Sequence, residues 1–216
     1  ANANLIVELL RKLRQVYRSL RIGKIYWENP KKSFDSSIFG IPRGKELRGY
    51  FQSYKYFNDS AGEISELFAN PVRPSQEFNA LLEELPSSWL AVHMRLGADY
   101  KVMQDQFGLL GAGYFLDAIQ YLEKQLPNLP IYVFSDDIEL ARQILPGCHR
   151  YIGKAQLHNP VERLIIMSHA QGFVGSNSSF SWWAAFIGRD SVQPVLAPSR
   201  WFSESPFSAT LLPESW

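Results

Sequence analysis

The chain has 216 residues, with 22 Lys and Arg against 21 Asp and Glu, four His, one Cys and 46% hydrophobic residues. A chain this long and this apolar buries a core, so bulk disorder is excluded, and a net charge of +1 excludes the cationic surface on which sequence-independent nucleic-acid binding rests. A single thiol makes neither an internal disulfide nor a Cys-rich zinc cluster, which fits a reducing compartment, and no apolar run approaches the ~20 residues of a membrane helix.

Leu5, Ile6, Leu9, Leu10, Leu13, Val16, Tyr17 and Leu20 recur at helical spacing among Arg11, Lys12, Arg14, Arg18, Arg21 and Lys24, which predicts an amphipathic basic helix. Its polar face reads as a solvated surface or as a membrane-surface segment, the first being the more ordinary use. The sequence opens at Ala1 without an initiator Met, the pattern of a fragment. Turn-rich text over 31–49 leads into the aromatic cluster Tyr50, Phe51, Tyr54, Tyr56 and Phe57. Ser60 and Glu63 signal a capping box for a helix with Ile64, Leu67 and Phe68 on one face, ended by Pro71. Ser75 caps a second helix carrying Phe78, Leu81, Leu82 and Leu85, ended by Pro86, and 86–88 is the expected domain boundary.

Past that boundary, apolar runs at 89–94, 131–134 and 172–175 read as buried strands, with weaker ones at 149–152 and 193–196. Helical patterns fill 114–126, 137–145 and 161–171, the last opened by Asn159 as cap, Pro160 and Glu162. Alternating strand and helix predicts a parallel, doubly wound sheet, in which ligands bind beyond the carboxyl ends of the strands.

Three strand tips are polar. The first runs His93-Met94-Arg95-Leu96-Gly97-Ala98-Asp99-Tyr100 and gathers a ring, a fixed cation and a carboxylate at one loop. Arg95 supplies a planar fork suited to phosphate oxygens, or it simply pairs with Asp99 at the rim. The second tip, Ser135-Asp136-Asp137, is either an ordinary helix cap or a carboxylate acceptor for the donor edge of guanine. Adjacent carboxylates could also hold a divalent ion with substrate phosphates, although successive residues point apart. The third tip, Ser176-Asn177-Ser178-Ser179, opens a helix carrying Trp182, Trp183 and Phe186; four small polar residues there favour a phosphate cradle over a plain cap. Gly108, Gly111 and Gly113 lack the dinucleotide-binding order and read as a loop before the Tyr114 helix. Neither a P-loop nor a G-x-S-x-G elbow is present.

Read together, these tips resemble the inverting α-1,2-fucosyltransferases of glycosyltransferase family 11. The family's pattern is similar to His93–Tyr100, to Phe134-Ser135-Asp136-Asp137-Ile138, to Asn177-Ser178-Ser179-Phe180-Ser181-Trp182-Trp183 and to Ala197-Pro198-Ser199-Arg200-Trp201, with Gly49-Tyr50-Phe51-Gln52-Ser53-Tyr54-Lys55-Tyr56-Phe57 upstream. The resemblance implies an α/β, GT-B-like fold: a Rossmann-like parallel-sheet domain over 87–216 that binds GDP-fucose, and a partial amino-terminal acceptor-side domain over 1–86. It implies that Arg95 meets the diphosphate, that His93, Asp136 and Asp137 meet guanine and ribose, and that Asn177, Ser178 and Ser179 line the phosphate end. Asp99 is the nearest carboxylate for the general base. No metal or other cofactor is implied. The acceptor would be a galactose-terminated glycan or lipid-linked oligosaccharide, in a bacterial cytoplasm or peripherally at its membrane, and no nucleic-acid partner is expected.

Leu96 stands where the family pattern has a second Arg, and Ala98 is an extra residue before Asp99. The family's Gly-x-Gly-Asn-Gln opening is absent. Two rival readings therefore stand beside α-1,2 transfer: an incomplete or non-catalytic nucleotide-sugar-binding fragment, and a fucosyltransferase of another linkage.

Overall fold

In the computed structural model the described residues are 25–29, 34–68, 73–102, 104–108, 110–188, 194–203 and 211–216. They group into two units, 1–56 and 57–216. The basic helix expected within residues 5–24 lies outside the described residues.

In the first unit, β1 (Ile25–Trp27) pairs in parallel with β2 (Glu46–Arg48), Ile25 standing opposite Glu46 and Trp27 opposite Arg48. The turn-rich text concealed β2, because three residues of mixed polarity carry no period. One oxygen of Glu28 accepts the N–H groups of Tyr50 and Phe51 at 2.6 and 2.9 Å. These bonds hold Phe51 at a φ of +46°, a left-handed conformation that an aromatic residue rarely adopts. Of the expected aromatic cluster, Phe51 and Tyr56 meet edge to face, whereas Tyr50 is exposed.

In the second unit, α1 (Ala61–Phe68) starts directly after Ser60, and α2 (Gln76–Glu84) is capped by Ser75, whose Oγ accepts the Phe78 N–H at 3.1 Å. Leu67 is exposed, so the apolar face of α1 is narrower than its sequence implied. The chain then runs β3 (Leu90–Met94), α3 (Ala98–Val102), α4 (Gln104–Phe107), α5 (Ala112–Gln125), β4 (Ile131–Ser135), α6 (Ile138–Ile144), β5 (Arg150–Ile152), α7 (Pro160–Met167), β6 (Gly172–Val174), α8 (Ser179–Ile187) and β7 (Val195–Leu196). The stretch 86–88 leads from α2 into β3 within this unit. Within 57–216 the strands and helices expected of the alternating pattern are present, the helix expected over 161–171 ending at Met167 and the last strand described as Val195–Leu196. Two differences stand out: α3 and α4 were not anticipated, and Gly113 lies inside α5, with Gly111 as its cap, instead of in a loop.

The five strands β3 to β7 form one parallel sheet in the order β5-β4-β3-β6-β7. Alternation along β3 sends Ala91 to one face, with Phe78, Leu81, Tyr132, Phe134 and residues of α7 and α8. Leu90, Val92 and Met94 go to the other face, with Phe115, Ile119 and Leu122 of α5 and Ala141 of α6. Helices therefore cover both faces, which is why these strands read as continuous apolar runs. The ring of Phe57 packs against Trp182, Trp183 and Phe186 of α8 at centroid distances of 5.5, 5.2 and 5.3 Å, so the last residue of the upstream aromatic motif braces the tryptophan pair.

Candidate functional site

From β3 the chain passes to β4 and β5 on one side, then crosses back to β6 on the other, so the strand order reverses between β3 and β6. In open parallel sheets a crevice forms at such a reversal. The tips of β3 and β6 flank it, with the tip of β4 next to that of β3. The sheet thereby brings together all three polar tips.

Arg95 is the centre of this cluster. Its Nη1 pairs with Asp136 Oδ2 and its Nη2 with Asp99 Oδ2, while its backbone N–H donates to Ser176 Oγ at 3.0 Å. The rim pair of Arg95 with Asp99 is thus present, and Asp136 joins it. Asp136 also accepts the Leu96 N–H through Oδ1 at 2.7 Å. That approach needs Gly97, where a Cβ would stand 2.5 Å from Asp136 Oδ2. Asp136 holds two bonds and its side chain is 26% exposed, whereas Asp99 is 70% exposed; Asp99 is the weaker of the two clamps on the guanidinium. Asp137 caps α6 by accepting the Leu140 N–H at 3.1 Å, and Lys101 Nζ lies 3.9 Å from its Oδ2.

His93 is buried two residues before Arg95, with Nδ1 2.5 Å from Ser181 Oγ. Burial is the main cause that lowers its pKa to about 4; Asp136 opposes the shift, and Arg95 and Arg163 add to it. The imidazole is therefore neutral at pH 7. Ser181 Oγ also accepts the Ser176 N–H at 3.1 Å, so this hydroxyl joins the ring to the strand end. Ser176 Oγ closes the loop by donating to the His93 carbonyl at 2.7 Å. Ser176, read in sequence as part of the phosphate cradle, and Ser181, which appears only within the Asn177–Trp183 run, instead tie the β3 and β6 tips together, because a hydroxyl that bridges two strands looks like any other Ser in sequence.

At the third tip the four polar residues divide their tasks. Ser178 caps α8 by accepting the Phe180 N–H at 3.3 Å, and Ser179, exposed, begins its first turn. Asn177 is buried, and its amide nitrogen donates to the carbonyls of Phe107, Gly108 and Trp201. On the same strand end, Tyr114 Oη donates to the Gly175 carbonyl at 2.7 Å, and burial raises its pKa. Among the described residues, no group of three or more His, Cys, Asp or Glu is arranged to hold a metal ion, and no helix is long and apolar enough to cross a membrane.

The site can present one guanidinium fork and the N-terminal end of α8 to an anion at the crevice, a set suited to a diphosphate. The model of the family described as "Glycosyl transferase family 11" matches residues 14–215. An Escherichia coli alpha-1,2-colitosyltransferase is 27% identical over 201 residues, which cover 86% of this chain and 66% of that one. The O-antigen biosynthesis glycosyltransferase WbnK of the same organism is 28% identical over 111 residues, 50% of this chain and 36% of that one. The chain thus spans less than two thirds of the length of either relative. Among solved structures, POFUT1 in complex with GDP aligns at a TM-score of 0.46 with 17% identity, over 71% of this chain and 53% of that one. POFUT1 in complex with GDP-fucose aligns at 0.46 with 16% identity, over 71% and 54%.

Proposed function

The chain belongs to glycosyl transferase family 11, and on that premise we propose that it carries the donor site of an inverting transferase. That enzyme moves L-fucose from GDP-β-L-fucose to a galactoside hydroxyl and forms an α-1,2 linkage. In this reading 87–216 serve the donor and 1–86 the acceptor side. The acceptor is a galactose-terminated or lipid-linked oligosaccharide, reached peripherally at a membrane from the cytoplasm.

The observation that carries the reading is the sheet order, which sets Arg95 beside the start of α8 where the order reverses. The diphosphate takes the guanidinium fork of Arg95 and the α8 end at Ser178 and Ser179. His93, Asp136 and Asp137 stand on the guanine and ribose side of the tip. The acceptor oxygen attacks C1, the bond from C1 to the phosphate oxygen breaks, and GDP leaves with the electron pair. Arg95 offsets the charge that grows on the leaving diphosphate. To do so it must release one carboxylate, and the exposed Asp99 is the one to yield. Asp99, freed beside the reacting centre, takes the proton of the acceptor hydroxyl.

Calorimetric titration with GDP, GDP-fucose and ADP tests the donor site, with Arg95→Ala as control. The expected result is guanine-selective binding, with a loss of roughly 3 kcal/mol in the variant, the size of a charge-assisted diphosphate contact. Equal binding of ADP, or a variant as tight as the parent, would refute the reading. A second reading, colitosyl transfer at the same linkage, is favoured by the 27% identical relative. Transfer rates with fucose-bearing and colitose-bearing donors decide between the two.

A further inference from the structure

The short helices α3 and α4 are fastened to the strand tips at separate points. At the α3 end Asp99 pairs with Arg95, and Lys101 lies near Asp137. At the α4 end the amide nitrogen of Asn177 donates to the Phe107 carbonyl at 2.5 Å and to the Gly108 carbonyl at 3.3 Å. The same nitrogen donates to Trp201, beyond β7, at 3.1 Å. Gly108 has a φ of +66°, the left-handed turn that leaves the last carbonyls of a helix in need of donors. A second fastening lies nearby: Ser203 Oγ donates to the Asp105 carbonyl, and the rings of Phe107 and Phe202 stand 5.4 Å apart.

Asn suits this place because it carries two N–H groups on a short arm. Asp would turn only oxygens toward three carbonyls, and Ser would bring a single O–H. An amide nitrogen spent on carbonyls is also a poor ligand for phosphate. Asn177 is 3% exposed, and its amide nitrogen is turned to these three carbonyls.

We propose that Asn177 is a positioning residue: it anchors α4, and through the adjoining α3 it sets Asp99 beside Arg95. The inference rests on the reading of Arg95 and Asp99 as the groups that meet the leaving and attacking oxygens.

The test combines Asn177→Ala and Asn177→Asp with hydrogen exchange, measured without nucleotide, followed by GDP titration and steady-state kinetics. Exchange of the backbone amides in 98–108 is expected to rise about tenfold or more in both variants. GDP affinity is expected to stay within about threefold of the parent, whereas kcat falls about tenfold or more. Unchanged exchange in both variants overturns the proposal. So does a loss of GDP affinity of about tenfold with exchange unaltered, which would make Asn177 a direct donor ligand. Ser203→Ala loosens α4 from its other side and covers the case in which the Asn177 variants do not fold. Faster exchange in 98–108 without any fall in kcat would overturn the link to Asp99. A parent chain that binds no GDP sinks the transferase reading alone, because the exchange result is read independently of nucleotide.

Discussion

His93 makes the stability of this protein depend on pH in a direction and window that the structure sets. Its folded pKa is about 4 against 6.5 for the free side chain, so the unfolded chain binds the proton first as pH falls. A depressed pKa of this kind leaves stability intact above about 6.5 and removes it as pH falls toward about 4. Integrating between those values, the loss from this one group is about 2 kcal/mol between pH 7 and pH 5. Urea unfolding of the parent and of His93→Asn at both values isolates the term, since Asn keeps an acceptor near Ser181 Oγ and does not titrate. The parent is expected to lose about 2 kcal/mol more than the variant on acidification. If the two lose the same to within about 0.5 kcal/mol, His93 is not held neutral by burial.

Two further outcomes follow from contacts of the same unit. Both oxygens of the buried Glu162 accept bonds from Ser75, one from its N–H and one from its Oγ, each at 2.7 Å; Glu162→Ala is expected to cost about 2 kcal/mol in urea unfolding, and a cost below about 0.5 kcal/mol would contradict the pairing. The methyl of Gly97→Ala would meet Asp136 and Asp99 at 2.5 and 3.0 Å, both at the ends of side chains. Stability is expected to shift by less than about 1 kcal/mol while GDP binding weakens by about tenfold, and unaltered GDP affinity would show that the carboxylate clamp on Arg95 is irrelevant to the site.

The polar tips carry the ordinary local contacts that their sequence implies. Arg95 pairs with Asp99, Asp137 caps α6 and Ser178 caps α8. Such local roles were legible because a cap or an i to i+4 pair depends only on residues close in sequence. They do not compete with a ligand role at the same tip, since a helix start that is capped still directs its N–H groups outward.

The list of parts was legible in the chain: which runs become buried strands, where the helices of the sheet unit start, and which strands end in polar residues. Those properties follow from period and propensity within windows of about ten residues. The short pieces were not legible. Neither β2 nor α3 and α4 are long enough to show a period, and the face of α1 that holds Leu67 depends on what packs opposite. The strand order β5-β4-β3-β6-β7 came from packing alone, and it brings Ser176 to the backbone of Arg95 across 81 positions and Asp136 to its guanidinium across 41. It also turned Asn177 from one more polar residue in a helix cap into the tie that holds Phe107, Gly108 and Trp201. The physical reason is that a parallel sheet fixes its neighbours through crossovers of many residues, so the partners of a strand tip are set by packing and carry no local signature in the chain.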